Sequence, residues 1–281
     1  MTRTLLAVLA HPDDETFGTG GTLALYASRG VEVHLICATR GEVGTVDPEL
    51  LKGHASIGEL RQHELECAAE HLGLAGVHFL DYRDSGMPGS ADNHHPAALA
   101  AAPVEQVAGK VAEWIRRLKP QVVITFDPIG GYRHPDHIAI HQATVLAVES
   151  AGDPSGSPDG LPPHRADKLY FSTFRRPWLR HGIRLLRLFG QDPRHWGRNK
   201  DIDLVDIAQS QFPVHAWIDI RPVADRKQRA TACHASQAMP RPRGIARYFF
   251  RFSEAEEVYM RARPEPTAGL RERDLFEGVS G

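Results

Sequence analysis

Two short stretches hold an unusual share of the reactive side chains. AHPDDE carries His11, Pro12, Asp13, Asp14 and Glu15, and GGYRHPDH carries Tyr132, His134, Pro135, Asp136 and His137. Imidazole and carboxylate are the donors of a zinc site that keeps one position open for water or substrate. His11 and Asp14, three residues apart across a turn, can aim at one ion, whereas Asp13 between them must point elsewhere and stays free as a base. A third ligand has to come from the second stretch. His134 and His137 both qualify, and His141, one helical turn beyond His137, is a rival more in keeping with packing. Spacing leaves that choice open. One His-Pro-Asp alone carries little weight, because Asp after Pro is also a common turn. Two of them converging on one place need another explanation, since gathered buried charges are costly unless paired or metal-bound.

Convergence depends on the elements that carry the two stretches. Residues 4–10 are a continuous apolar run, as expected of a strand buried on both faces, and AHPDDE follows at once. A helix over 15–28, a strand over 31–39, a helix over 57–72 and a short strand over 77–80 come next. A helix over 104–118 is closed by Pro120, and the strand 121–126 leads towards GGYRHPDH. A helix is expected from 138 to 149. Strands alternating with helices imply an α/β fold, a doubly wound and mostly parallel sheet with helices on both faces. In such a sheet the first and fourth strands flank the switch point where the ligand crevice opens, so the two stretches should meet. Beyond the Gly- and Pro-rich segment 151–166, strands over 168–174, 216–220 and 256–262 and a helix over 221–238 are too sparse for a second core. They are expected to extend the sheet and cap one end of it.

With 281 residues the chain is within reach of a single elaborated domain, read as a core over 1–150, an extension and cap over 151–263 and a tail over 264–281. Lys and Arg number 33 against 35 Asp and Glu, so no overall field draws nucleic acid or an anionic membrane. No apolar run approaches the roughly 20 residues that cross a bilayer, and the N-terminus lacks the pattern of a signal peptide. Cys37, Cys67 and Cys233 are too few and too widely spaced for a disulfide framework. These features together suit a reducing cytoplasm. GTGGTL at 18–23 misses the third glycine of a dinucleotide loop, HELEC at 63–67 misses HExxH, and neither a serine elbow nor a Walker loop is present. The strongly basic segment 175–200, with apolar residues interleaved, reads first as a solvated face over a buried stripe. It reads next as a lid for an anionic or polar substrate, and last as a membrane-surface helix.

AHPDDE paired with a later HPDH resembles the LmbE/PIG-L family of zinc-dependent N-acetylglucosaminyl deacetylases, which have a Rossmann-like fold. RQHELECAAEHLG (61–73), YRDSGM (82–87) and KQRATACHASQ (227–237) are similar to the branch of that family that handles mycothiol-type thiols. The resemblance covers most of the chain and is weakest over 177–213. It implies His11, Asp14 and His137 as metal ligands and Asp13 as general base. It further implies His134 as oxyanion stabiliser and proton donor with Asp136 orienting it, and Tyr132 as the group polarising the amide carbonyl. Arg61 and Asp84 match positions that hold sugar hydroxyls, and His234 and Gln237 match a cleft-lining motif. The implied reaction removes an acetyl group from an N-acetylglucosamine-containing small molecule with zinc, or with ferrous iron, which the same donors accept. The alternatives are an amidase cleaving a larger amide of a glucosamine conjugate, such as a mycothiol S-conjugate, and a sugar- or nucleotide-binding module without turnover. The expected partner is a small amino sugar, not nucleic acid. A homo-oligomer is compatible with the sequence.

Overall fold

Every residue of β1 (Thr4–Leu9) is buried, which requires a strand on each edge and helices on both faces. Both are present in the computed structural model, which describes residues 2–154, 160–173, 176–196, 202–210, 212–237 and 255–279. β1 lies between β2 (Glu32–Cys37) and β4 (Val122–Phe126) and is parallel to both, with Leu5 opposite Val33 on one side and Val122 on the other. β3 (Gly76–Phe79) adds beyond β2, and β5 (Lys168–Thr173) beyond β4. Strand order therefore reverses between β1 and β4, as the alternation of elements predicts.

The late strands join this sheet. β7 (Glu256–Arg263) runs antiparallel to β5, and β6 (Ala216–Asp219) antiparallel to β7, giving one mixed sheet of seven strands among the described residues. Residues 264–279, set apart by sequence as a tail, pack back on the molecule. Leu275 and Phe276 are buried in the core beside Tyr26, and Glu272 accepts from Lys168 Nζ and Tyr170 Oη at 2.7 and 2.8 Å.

Alternate side chains of β1 face different layers. Leu5, Ala7 and Leu9 share a core with α2 (Gly20–Ser28), α3 (Ile57–Leu72) and α9 (Ala224–Cys233). Leu6, Val8 and Ala10 pack with α4 (Val104–Leu118) and α6 (Pro135–Ala151). The ends of α3 are those the spacing predicts: Ser56 caps it by accepting from Glu59 N–H, and Gly73 closes it at φ 78°.

Four expectations are corrected. The helix expected over 15–28 is broken into α1 (Asp14–Phe17) and α2, because the start of α2 is fixed from elsewhere in the chain. The N–H groups of Gly21 and Thr22 donate to the Glu257 carboxylate at 2.9 and 2.7 Å, and a Cβ on Gly21 would lie 2.5 Å from Ile220. That helix start, the one within GTGGTL, is filled by the protein's own carboxylate rather than open to a phosphate. The helix after β4 begins at Pro135 rather than 138. Proline suits the first helical position, where no N–H is needed, and His134 caps it by accepting from Asp136 N–H. The helix expected over 221–238 is α9 alone, preceded and followed by short 3-10 turns; Ala238 lies outside the described residues.

The fourth correction concerns the cysteines. Cys67 on α3 and Cys233 at the end of α9 form a disulfide, their Cα atoms 5.9 Å apart, while Cys37 is free and buried. The pair is 166 residues apart in sequence, and only the packing of the two helices reveals it. Of the basic segment 175–200, part forms α7 (Arg176–Leu188), which packs on α8 (Leu204–Gln209); residues 175 and 197–200 lie outside the described residues. No helix among the described residues is long and apolar enough to cross a membrane.

Candidate metal and active site

His11 stands just beyond the carboxyl end of β1, and Asp14 opens α1. His137 lies in the first turn of α6, after the kinked turn α5 (Gly130–Arg133) that follows β4. The switch point brings them together. His11 Nδ1 is 3.2 Å from His137 Nε2 and 3.5 Å from Asp14 Oδ2, and His137 Nε2 is 3.3 Å from Asp14 Oδ1. Donors held about 2.0–2.1 Å from a tetrahedral zinc are about 3.3 Å from one another, so the spacing fits a shared ion.

The outward-facing atoms fix the tautomers. His137 Nδ1 lies 3.2 Å from the Gly130 carbonyl oxygen, and His11 Nε2 lies 3.0 Å from Asp136 Oδ2; each oxygen accepts a hydrogen bond from the ring N–H. The two inward nitrogens then present lone pairs to each other at 3.2 Å. Only a cation or a further proton between them relieves that opposition. Consistent with this, burial works against charge on His11, but Asp84, Asp136 and Asp14 outweigh it and hold its pKa well above the ordinary value. For Asp14, burial works upward, and His137 and His11 outweigh it, leaving the carboxyl well below the usual range. The donor set fits a divalent ion.

Asp136 differs from its expected part. Its carboxylate accepts from Ser85 N–H at 2.9 Å and from the Ser85 hydroxyl, and it faces His11. Only its backbone N–H reaches His134, donating to Nδ1 at 3.2 Å. Asp136 therefore orients His11 rather than the His134 side chain. His134 is buried, and its ligand atom lies within 4.8 Å of those of His11 and His137. Burial, with His11 and His137 alongside, pushes its pKa well below the ordinary value. His141 stands apart: its Nδ1 lies 2.8 Å from the Phe126 carbonyl oxygen, and its ring packs edge-on to Phe171.

Asp13 lies between His11 and Asp14 in sequence, and its carboxylate is 3.4 Å from Arg61. Its backbone adopts φ 125°, a region that residues other than glycine seldom enter and that costs energy to hold. Neighbours hold it there: Glu15 Oε2 accepts from Asp13 N–H at 2.9 Å, and Thr16 Oγ1 donates to the Asp13 carbonyl at 2.9 Å. Burial pushes its carboxyl up to about 6, with Asp14 adding to the rise, against the downward pull of Arg61, His234 and His11. Such a carboxylate is poised to take a proton near neutral pH. Tyr132 presents its ring edge-on to His137, centroids 5.0 Å apart. Burial, reinforced by Asp14 and Asp13, keeps its phenol protonated and able to donate.

The residues expected to hold substrate are already engaged with the protein. Arg61, almost fully buried, donates to the carbonyls of Pro12 at 2.6 Å and Gly41 at 3.0 Å and lies 3.4 Å from Asp13 Oδ2, while its Nε has no partner among the described residues. Gly41 allows that approach, since a Cβ there would lie 2.0 Å from the guanidinium. Asp84 accepts from Gly86 N–H at 2.8 Å and Val43 N–H at 3.3 Å and lies 3.5 Å from His11 Nε2. His234 is fully buried, paired through Nε2 with Glu15 Oε1 at 2.6 Å, so it supports the site from behind rather than lining it. Gln237 is half-buried and donates to Ser236 Oγ at 3.2 Å. The support given by Glu15, Ser85 and Glu64 was not anticipated, and no spacing signal reaches partners this far apart in the chain.

Several known proteins are similar to this chain. Residues 6–148 match the PIG-L family, described as GlcNAc-PI de-N-acetylase. Curated relatives named 1D-myo-inositol 2-acetamido-2-deoxy-alpha-D-glucopyranoside deacetylase are similar over nearly the whole chain. The one from Acidothermus cellulolyticus is 38% identical, covering 99% of this chain and 96% of its own length. That from Streptomyces avermitilis is 36% identical, covering 99% and 98%. Among solved structures, N,N'-diacetylchitobiose deacetylase from Pyrococcus horikoshii aligns with a TM-score of 0.59 at 22% identity, covering 92% of this chain and 83% of its own. The 4-carboxy-2-hydroxymuconate hydratase from Pseudomonas putida aligns at 0.62 and 21%, covering 96% and 100%. The two structures share the fold, and fold alone does not choose between their reactions.

Proposed function

The chain belongs to the PIG-L family, and from that membership we propose that it is a zinc-dependent N-deacetylase acting on an N-acetylglucosamine-containing small molecule. The observation that carries this reading is the triangle of His11, Asp14 and His137 with Asp13 beside it and outside it. The name shared by the curated relatives makes N-acetylglucosamine joined to 1D-myo-inositol the first substrate to test. Zinc is favoured by the near-tetrahedral spacing of the donors, and ferrous iron is the other ion they accept.

An amide is a weak electrophile and water a weak nucleophile. A divalent ion held by His11, Asp14 and His137 would lower the pKa of water and polarise the carbonyl. The remaining work falls to this chain's own groups. Asp13, with its carboxyl raised to about 6, takes the proton from the attacking water. Tyr132 donates its phenol hydrogen to the oxygen on which negative charge develops. His134 is neutral at rest because of burial and its two imidazole neighbours, so it first gains the proton that Asp13 took from water and then gives it to the departing nitrogen as the carbon–nitrogen bond breaks. Asp136 keeps His11 in the tautomer that turns Nδ1 inward. Arg61 ties Asp13 to the loop at Gly41. By this reading the reaction belongs in the cytoplasm.

Acetate release from N-acetylglucosaminyl-inositol tests the proposal. Turnover should vanish with a chelator and return with added zinc. Release of a larger acid from a conjugate, with no acetate from any N-acetyl sugar, would favour the amidase. A chain that binds one ion and hydrolyses no amide would overturn the reading.

A further inference from the structure

The disulfide sits at the back of the catalytic loop. Cys67 lies on the exposed side of α3, and His71, one turn further along, places a ring nitrogen within 4.8 Å of both sulfurs. Cys233 ends α9, and the next residue, His234, enters the core to meet Glu15 at 2.6 Å. Both side chains of that pair are fully buried. The other oxygen of Glu15 accepts the N–H of Asp13, the residue held at φ 125°. Two residues past His234, Ser236 gives its N–H and hydroxyl to Glu64 on α3 at 2.7 and 2.6 Å. The crosslink, the His234–Glu15 pair and the Ser236–Glu64 bonds therefore fasten one short stretch, 233–236, between α3 and the catalytic turn. Of these fastenings the crosslink is the covalent one and the one that includes an exposed residue, Cys67.

We propose that Cys67–Cys233 is a thiol-exchange site whose reduction loosens the His234–Glu15 support and lowers the output of Asp13. The proposal rests on the base role given to Asp13 above. A small thiolate attacks the accessible Sγ of Cys67, forming a mixed disulfide as the bond to Cys233 breaks and Cys233 leaves as thiolate. The His71 ring is placed to donate a hydrogen bond to the departing sulfur. A second thiolate attacks the small-molecule sulfur of the mixed disulfide and releases Cys67 as thiolate. In total the protein disulfide gains two electrons and two protons, and two thiols become one small disulfide. Released from α3, the start of 233–236 moves more freely, and the strained Asp13 backbone loses a rigid partner. A displacement on the order of 1 Å at a catalytic group costs up to about a hundredfold in rate.

The test uses the full-length, zinc-loaded chain in dithiothreitol redox buffers, with bound zinc measured at each point. Thiols are counted after denaturation: one in the oxidised chain, three after reduction. Hydrogen exchange over 10–17 and 224–237 should quicken on reduction, kcat should fall about tenfold to a hundredfold with KM within about twofold, and both should recover on reoxidation. Cys67→Ser with Cys233→Ser should behave as the reduced chain and ignore the reductant. A chain that reaches three thiols with unchanged exchange over 10–17 and unchanged kcat overturns the proposal. So does a native chain that stays at one thiol throughout, or a double variant that still responds to reductant. Because exchange is read without substrate, failure of the deacetylase reading and failure of this one are told apart.

Discussion

Asp13→Asn isolates the proposed base from the rest of the site. Asparagine keeps the shape of aspartate and tolerates positive φ better than most residues, so it suits a backbone at φ 125° where alanine would add strain. The carboxylate lies outside the His11, Asp14 and His137 triangle, and bound metal should remain near one per chain. Its main partner is Arg61 at 3.4 Å, which is left buried without that charge but keeps its bonds to the Pro12 and Gly41 carbonyls, while the burial that raises the Asp13 carboxyl to about 6 no longer has a charge to penalise; the two effects oppose, and folding stability should change by only about 1 kcal/mol. Turnover should drop far more. A positioned general base contributes roughly 10²–10⁴-fold, or about 3–5 kcal/mol of barrier at 1.36 kcal/mol per decade. The assay is initial-rate acetate release by zinc-loaded protein, with metal content and the unfolding midpoint measured on the same sample. A variant that holds its metal and folds normally yet keeps more than about a tenth of the wild-type kcat would refute the assignment of Asp13 as base.

His11→Ala removes a donor and leaves Asp14 and His137 to hold the ion alone, so bound zinc after dialysis should fall well below one per chain; unchanged zinc would contradict the ligand set. Reducing the disulfide opens a loop whose ends are 166 residues apart, which in the chain-entropy account costs about 5 kcal/mol and lowers the thermal midpoint by roughly 10 °C. Equal midpoints with and without reductant would show that the two helices need no crosslink. Glu257→Ala strips the acceptor from Gly21 and Thr22 N–H and leaves Lys227, 2.8 Å from the carboxylate, without its partner. It should destabilise the fold by about 3 kcal/mol, read from denaturant unfolding, while an open phosphate-binding loop would instead show little loss.

The parts of this molecule legible in sequence are those in which local pattern and tertiary role coincide. β1 and β4 are uninterrupted apolar runs because the sheet buries them on both faces, and the doubly wound order follows from their alternation with helices. α3 and α4 carry their own punctuation, a serine cap and Gly73 for the first and Pro120 beyond the second. The meeting of His11, Asp14 and His137 is legible because both stretches sit at strand ends that a parallel sheet brings together. Distance in sequence hid the rest. Nothing near Gly20 says that Glu257 begins α2, nothing near Asp136 says that its carboxylate turns to His11, and Glu15 is separated from His234 by 219 residues. Arg61 and Asp84 look like substrate groups from resemblance, yet much of their hydrogen-bonding capacity goes to holding the loops in place. α6 starts at Pro135, ahead of the expected 138, because a His-Pro-Asp reads equally as a turn and as a helix start.

Anomalous diffraction from a zinc-loaded crystal tests the account at its centre. One zinc peak is expected within about 2.0–2.2 Å of His11 Nδ1, a carboxylate oxygen of Asp14 and His137 Nε2, with Asp13 uncoordinated beside it. A peak held instead by Asp84 or Asp136 without Asp14, or no peak at this crevice, would contradict it.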